Sequence, residues 1–252
     1  MRMIAYITGA TSGIGKAVAL KLAQKGYDII ITGRREAMLH ELANEIKTSF
    51  ARNVLPLVYD VRNRKQTIDI NASLPEKWQQ IDVLVNNAGL AVGLNPIHEG
   101  DMDDWERMID TNLKGLLYVT RSIAPLMVQR GKGHIFNIGS IAGKEVYANG
   151  NVYCATKFAV DALNKAMRID MLQAGIKVTQ IAPGAAETEF SLIRFKGDKA
   201  AADKVYKGYV PLCGEDIAEV LAFVLSLPDH VCLNDIVITP KAQASATCFY
   251  KK

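Results

Sequence analysis

The segment NVYCATK, residues 151–157, places a tyrosine and a lysine four positions apart with only small residues between them. On a helix these positions share a face, so a helical segment would set Tyr153 and Lys157 side by side. A lysine ammonium beside a phenol favours the phenolate, which can act as a general base. Taken alone, the segment favours the simpler alternative, an exposed aromatic side chain beside a solvated charge.

A glycine-rich stretch, TGATSGIGKAVA, stands between the first strand-like run and the first helix-like run. Its Gly9, Gly13 and Gly15 follow a GxxxGxG spacing, which differs from the GxGxxG dinucleotide fingerprint. A strand, a tight turn and a helix N-terminus form a phosphate site, because unpaired N–H groups and the helix dipole face the anion. The context predicts a dinucleotide site in preference to a structural turn.

The second strand-like run ends at Gly33 and is followed by Arg34 and Arg35. An acidic residue at this place would bind the ribose of NAD, whereas an arginine fork suits a phosphate. NADP is therefore the predicted cofactor, and the alternative is an arginine-rich start of a surface helix. Asp60, in VYDVRN, is placed to accept from the adenine amino group or to serve as a turn residue.

Seven strand-like runs carry these motifs: MIAYIT, YDIIIT, NVLPLVY, IDVLVNN, GHIFNIG, IKVTQIA and NDIVIT. They are apolar on both faces and alternate with helix-like segments, which is typical of a parallel sheet covered on both sides. No composition break or Pro/Gly/Ser linker interrupts them. The sequence predicts one α/β domain over residues 1–252, a doubly wound parallel sheet of about seven strands with helices on both faces.

The composition is that of an ordinary globular protein, with 49% hydrophobic and 22% charged residues in 252. The net charge of +4 is spread along the chain, which argues against a nucleic-acid partner. No apolar run is long enough to cross a bilayer. We therefore predict a cytoplasmic protein with no membrane partner.

The cysteines form no CxxC pair and no histidine stands near them at ligand spacing, so no metal site is predicted. Cys154, Cys213, Cys232 and Cys248 are expected to be buried, reduced thiols. His134, just before a strand-like run, is expected at the surface.

Five motifs in order resemble the short-chain dehydrogenase/reductase family over nearly the whole chain: TGATSGIG, NNAG (86–89), NLKG (112–115), NIGS (137–140) and YCATK (153–157). The resemblance implies a Rossmann-type fold and a catalytic tetrad of Asn112, Ser140, Tyr153 and Lys157. The implied cofactor residues are Gly9, Thr11, Ser12, Gly13, Ile14, Gly15, Arg34, Arg35, Asp60, Val61, Asn87, Ala88, Gly89, Tyr153, Lys157, Pro183, Gly184 and Thr188.

In the implied reaction, an alcohol gives up hydride to nicotinamide as its hydroxyl proton leaves, so the base must titrate below a free phenol at about 10. Lys157 and the oxidised nicotinamide are expected to lower the pKa of Tyr153. Ser140 is expected to donate to the substrate oxygen, and Asn112 to hold a water that links Lys157 to solvent. The ordinary alternatives are a turn serine at 140 and a local helix distortion at 112.

The resemblance also implies a substrate lid at about 184–212. Its run TEFSLIRFKGDKAAADKVYKG resembles NADP-dependent dehydrogenases of 3-hydroxy acids, which include serine and allo-threonine 3-dehydrogenases. Two departures are Cys213 and Gly214 in place of Thr-Pro, and Val146 where proline is common. The first is expected to weaken a helix cap.

The predicted substrate is a 3-hydroxy acid or 3-oxo acid. Its C3 oxygen is expected to lie between Ser140 and Tyr153, and its carboxylate is expected to bind Arg194. Lys196 and lid backbone N–H groups are the alternative carboxylate donors. Alternative functions are reduction of 3-oxoacyl thioesters or general carbonyl compounds, or a non-catalytic NADPH sensor. The family habit implies a homotetramer.

Overall fold

The computed structural model describes residues 3–252, so residues 1 and 2 of the predicted 1–252 domain lie outside the described residues. Seven parallel strands form one sheet in the order β3-β2-β1-β4-β5-β6-β7. The strands are Ile4–Ile7 (β1), Asp28–Gly33 (β2), Val54–Val58 (β3), Ile81–Asn86 (β4), Gly133–Ile138 (β5), Ile176–Pro183 (β6) and Asp235–Ile238 (β7).

Helices alternate with the strands along the chain. They are Gly13–Gln24 (α1), Glu36–Phe50 (α2), Arg64–Ala72 (α3), Met102–Ile109 (α4), Leu116–Arg130 (α5), Asn151–Asp170 (α6), Glu189–Arg194 (α7), Lys199–Val205 (α8) and Gly214–Ser226 (α9). A π-helical turn, Asp110–Gly115, joins α4 to α5. Short 3₁₀ turns occupy Glu76–Trp78, Ile97–Glu99, Ile141–Gly143 and Leu172–Ala174.

The two faces of the sheet form two separate cores, because successive side chains of a strand point to opposite sides. On β1, Ala5 and Ile7 pack with α1, α2 and α9, whereas Ile4 and Tyr6 pack with α3, α5 and α6. Both sets are buried. The predicted doubly wound parallel sheet with helices on both faces is confirmed.

The strand order reverses between β1 and β4, which both lie at the centre of the sheet. The glycine loop follows β1, and the NNAG segment runs from the end of β4. Ligands of open α/β sheets bind outside the carboxyl ends of the strands at such a reversal. The topology therefore brings the two motifs, 77 residues apart in sequence at Gly9 and Asn86 (86 − 9), to one crevice.

The cysteines are all free, but their positions differ from the prediction. Cys154 is buried and Cys232 is half-buried, whereas Cys213 and Cys248 are exposed, so the expectation of buried thiols is wrong for these two. Cys213 is exposed because it precedes α9 at the surface, where its backbone N–H donates to Asp216 at 2.8 Å. Within residues 3–252, no helix has the length and apolar character needed to cross a membrane.

His134 is buried, contrary to the surface position expected from the sequence. Only 3% of the residue is exposed, and its ring stacks on Phe136 with 4.1 Å between centroids. Its Nε2 lies 2.8 Å from the Thr179 hydroxyl, which donates its own proton to the Leu233 carbonyl. We infer that Nε2 carries the histidine proton, because the hydroxyl has only one proton to give.

We expect His134 to make the fold sensitive to mild acid. Burial lowers the pKa of His134 to about 3, whereas an unfolded histidine titrates near 6.5. The unfolded chain therefore binds an extra proton below about pH 6.5, and stability falls as the pH drops from there toward 3. At pH 5 the loss is about 2 kcal/mol. Urea unfolding of the parent and of His134→Gln at pH 7 and pH 5 should show a smaller loss in the variant, and parallel losses would contradict this origin.

Candidate active site

The predicted site residues surround one cleft of about 580 Å³ at the carboxyl ends of the strands. Two of them, Gly15 and Asn112, lie behind its wall instead of lining it. The predicted residues that line it are Gly9, Thr11, Ser12, Gly13, Ile14, Arg34, Arg35, Asp60, Val61, Asn87, Ala88, Gly89, Ser140, Tyr153, Lys157, Pro183, Gly184, Thr188 and Arg194.

Tyr153 and Lys157 lie on one face of α6, as their spacing predicts, and both residues are buried. The Lys157 ammonium is 5.9 Å from the centroid of the tyrosine ring and donates to the Ile138 carbonyl at 2.8 Å. Ser140 follows β5, two residues after that carbonyl, and its hydroxyl accepts from the Ala142 N–H at 3.1 Å. Helix α6 and the end of β5 thus position three of the four predicted catalytic residues.

The pKa of Tyr153 differs from the expectation. Burial raises the pKa of Tyr153 to about 12, and the positive charge of Arg194 is the main influence that lowers it, with the Ser140 hydroxyl acting in the same direction. Burial also lowers the pKa of Lys157 to about 8. The expectation that Lys157 lowers the pKa of Tyr153 fails here because desolvation outweighs the nearby charges. With its pKa above neutrality, the phenol of Tyr153 is protonated at pH 7 and has a proton to donate.

Asn112 lies in the π-helical turn between α4 and α5, so the helix distortion considered from the sequence is present. Its amide donates to the Leu90 carbonyl at 2.8 Å and to the Thr156 hydroxyl at 3.1 Å, and its oxygen accepts from the Leu90 N–H at 2.8 Å. These bonds tie the segment after β4 to α6. Asn112 therefore braces the loop behind Lys157.

The glycine loop forms a cradle of backbone atoms that only glycine allows. Gly9 and Gly13 have φ of +64° and +51°, in the left-handed region that favours glycine. A Cβ on Gly15 would come within 2.4 Å of the Gly9 carbonyl oxygen and 2.5 Å of Asn87 Nδ2. The start of α1 can thus approach a phosphate closely with its N–H groups, which fits the pyrophosphate of a dinucleotide.

Arg34 and Arg35 both lie at the edge of the cleft after β2. Arg35 donates from Nη2 to the hydroxyls of Thr11 and Ser12, each at 2.8 Å. Arg34 is half-exposed and lies 3.7 Å from the carboxylate of Asp60. Two cations and two hydroxyls around one corner fit the 2′-phosphate of NADP.

Asp60 is already paired in this corner. Its carboxylate accepts from the backbone N–H of Arg62 at 3.0 Å and from the Arg62 guanidinium at 2.6 Å. Those bonds keep the pKa of Asp60 low although burial acts in the opposite direction. The turn role that the sequence left open for Asp60 is therefore present in the structure, whereas Asn63 caps α3.

Arg194 points back from α7 into the cleft and stacks against its aromatic walls. Its guanidinium carbon lies 5.0 Å from the ring centroids of both Tyr153 and Phe190 and 5.7 Å from that of Tyr147. Nη2 donates to the Tyr147 hydroxyl at 2.7 Å, whereas the buried Nε has no hydrogen-bond partner within residues 3–252. Buried donors are normally paired. A charged donor in such a position is suited to receive an anion.

Tyr147 and Phe190 were not recognised as site residues from the sequence. Aromatic side chains at these positions give no motif, and Tyr147 lies 47 residues from the arginine it contacts. Phe249 also lines the cleft, from the C-terminal segment. Only the stacked arrangement around Arg194 reveals the role of Tyr147 and Phe190.

The lid segment 184–212 is tied to the body of the protein. Lys196 pairs with Asp104 at 2.7 Å and Asp101 at 3.3 Å, so this lysine binds the start of α4 and not the cleft. The Arg194 carbonyl accepts from the Gly93 N–H at 3.1 Å. Of the two lid cations considered from the sequence, only Arg194 faces Tyr153.

Comparisons with known proteins agree with this geometry. A family model described as short chain dehydrogenase matches residues 3–196. An NADP-dependent 3-hydroxy acid dehydrogenase of Salmonella typhi is 47% identical over 245 residues, which cover 97% of each chain. A protein with the same description from Schizosaccharomyces pombe is 42% identical and covers 98% of this chain and 95% of its own.

Two solved structures also match. The closed form of a serine dehydrogenase complexed with NADP⁺ has a TM-score of 0.92 and 45% identity, covering 99% of this chain and 100% of that chain. A serine dehydrogenase from Escherichia coli has a TM-score of 0.81 and 41% identity, covering 96% of this chain and 100% of its own.

Proposed function

Because the chain belongs to the short-chain dehydrogenase family, we propose that it is an NADP-dependent oxidoreductase that interconverts a 3-hydroxy acid and the corresponding 3-oxo acid. The family predicted from the motifs is confirmed, and the named relatives agree with the predicted cofactor and substrate class. The observation that carries the substrate class is the buried, unpaired Nε of Arg194 beside Tyr153.

NADP supplies the hydride acceptor and its reduced form the hydride donor. The glycine loop binds the pyrophosphate, and Arg34 and Arg35 bind the 2′-phosphate. The remaining predicted cofactor residues line the same cleft: Asp60, Val61, Asn87, Ala88, Gly89, Pro183, Gly184 and Thr188.

Tyr153 transfers the proton in this reaction. With its pKa raised to about 12 by burial, the phenol is suited to protonate the oxygen of a 3-oxo acid as hydride arrives. In the reverse direction it must accept the hydroxyl proton, and the positive charge of Arg194 favours the phenolate that this requires. Ser140 donates to the same substrate oxygen, where charge develops.

The acid group of the substrate is held by Arg194. A carboxylate two carbons from the reacting carbon needs a donor, since an unpaired anion is costly to desolvate. The guanidinium is close enough to Tyr153 to serve this group, and it lies among rings that keep water away. We propose that residues 184–212 form the substrate lid, with α7 carrying this arginine. Reduction of 3-oxoacyl thioesters, the second candidate activity, would leave the arginine without an anionic partner.

A kinetic screen tests this function. Serine, allo-threonine and 3-hydroxypropanoate, together with their methyl esters, should be assayed with NADP⁺ and with NAD⁺. We expect oxidation of the free acids with a clear preference for NADP⁺, and Arg34→Ala should raise the KM for NADP⁺ much more than that for NAD⁺. Equal efficiency with the two cofactors would reject the cofactor assignment, and faster turnover of esters would reject the acid class.

We also propose a homotetramer in the cytoplasm, with α6 and β7 in the interfaces. Exposed apolar side chains support this assembly, among them Phe158 and Ile169 on α6 and Val237 on β7. Light scattering should give four times the mass of one chain at micromolar concentration. A monomeric mass would contradict the proposal.

A further inference from the structure

One carboxylate of the lid segment contacts the arginine pair, Arg34 and Arg35, of the proposed 2′-phosphate site at Arg35. Glu189, the first residue of α7, accepts from Nη1 of Arg35 at 2.8 Å. The two residues are 154 positions apart in sequence, and both side chains are 43% exposed. An acidic side chain is thus present beside the arginine pair, although the sequence has none at the end of β2.

Arg35 has few free donors in this arrangement. Nε and Nη2 bind the Thr11 hydroxyl at 3.1 and 2.8 Å, and Nη2 also binds Ser12, so Nη1 is the nitrogen that faces the lid. The pKa of Glu189 is low, because bonds from Ser12 and Arg35 outweigh its partial burial. The carboxylate therefore stays charged at neutral pH and would repel a phosphate that approached the same nitrogen.

We propose that Glu189 competes with the 2′-phosphate of NADP for Arg35, so that binding of this phosphate releases the N-terminal end of the lid helix α7. This role of Glu189 rests on the proposed NADP dependence and sets the affinity of the chain for NADP. An exposed ion pair is weak, whereas a phosphate accepts strong, charge-assisted bonds from arginine. The phosphate therefore displaces the carboxylate, at a cost in affinity set by the ion pair.

Release of the Glu189 end of α7 is expected to change the packing in the substrate-binding part of the cleft. Thr188 packs against the glycine loop, since a Cβ on Gly13 would lie 3.1 Å from the Thr188 side chain. The next residue, Phe190, packs on Tyr153 with 5.5 Å between ring centroids, and Arg194 ends the same helix. Because binding linkage is reciprocal, any ligand that takes Arg35 weakens the hold on this helix.

The first test measures cofactor affinity by calorimetry in the parent, in Glu189→Gln and in the matched control Glu187→Gln. Glu187 is an exposed residue of the same segment with the same charge, and within residues 3–252 the ion-pair partner of Arg35 is Glu189 and not Glu187. We expect Glu189→Gln to bind NADP⁺ about two- to fivefold more tightly with NAD⁺ affinity unchanged, and Glu187→Gln to resemble the parent.

Weaker or unchanged NADP⁺ binding by Glu189→Gln would overturn the proposal, since the carboxylate would then support Arg35 or have no influence on it. An equal gain in Glu187→Gln would also overturn it, because the effect would be one of general charge. A parent that prefers NAD⁺ would instead reject the cofactor assignment itself, so the two failures are distinguishable.

The second test follows the lid by hydrogen exchange without turnover. Adenosine 2′,5′-bisphosphate should accelerate exchange across 189–195 in the parent, whereas adenosine 5′-phosphate should not. Glu189→Gln should show the faster exchange before any nucleotide is added. Equal responses to the two nucleotides, or slow exchange in the variant, would overturn the release of α7.

Discussion

Tyr153→Phe is expected to fold and to bind cofactor but to lose about 10²- to 10⁴-fold in turnover, the usual contribution of general acid–base catalysis. The substitution removes the phenolic proton and keeps the ring, which packs against Phe190 with 5.5 Å between centroids. The loss should appear in kcat and in kcat/KM alike, because the proton moves only in the transition state.

Tyr147→Phe is the matched control for this variant. Tyr147 also lines the cleft, and its hydroxyl accepts from Arg194 at 2.7 Å, but it lies on the loop before α6. We expect this control to retain most of its turnover. Calorimetric affinity for NADP⁺ should match the parent in both variants. Turnover of Tyr153→Phe near that of the parent would show that another group moves the proton.

The sheet and the placement of Tyr153 beside Lys157 could be predicted because they depend on local patterns. Seven apolar runs predict seven parallel strands, and the i, i+4 spacing of Tyr153 and Lys157 places both on one face of α6. The glycine loop was recognisable despite its altered spacing because its position between a strand and a helix is itself informative. The π turn at Asn112 has no such local signal beyond its motif.

The sequence could not predict contacts that depend on how distant segments meet. The pairing of Arg35 with Glu189 joins the end of β2 to the lid, and Lys196 binds Asp101 and Asp104 across 95 and 92 positions (196 − 101 and 196 − 104). The sequence also does not predict the pKa of the buried phenol. The spacing of Tyr153 and Lys157 indicates a neighbouring charge but not the burial of the phenol, which raises its pKa to about 12.

Position in the sheet explains the error at His134. Because histidine is polar, one at the start of a strand is expected at the surface. However, β5 is an inner strand, flanked by β4 and β6. Its side chain is therefore enclosed whichever face it takes. The Thr179 hydroxyl on the neighbouring strand forms a hydrogen bond with the ring nitrogen of His134, which offsets the cost of burying this polar group.

Arg194→Ala is expected to lower kcat/KM for 3-hydroxy acids about ten- to a hundredfold more than for their methyl esters. A charge-assisted hydrogen bond is worth roughly 1.5 to 3 kcal/mol, which converts to that range. The acid-to-ester ratio isolates the carboxylate contact, because any change at Tyr153 affects acid and ester alike. Such a common change is expected, since the Arg194 charge lowers the pKa of Tyr153.

The matched control is Lys196→Ala, which removes a cation of the same lid segment that pairs with Asp104 at 2.7 Å instead of facing Tyr153. It should leave the acid-to-ester ratio unchanged. In Arg194→Ala, the pH profile of oxidation should also shift to higher pH, because the pKa of Tyr153 rises when this cation is lost. A shifted profile with an unchanged ratio would retain Arg194 as a positioning residue for Tyr153 and assign the carboxylate to lid backbone N–H groups.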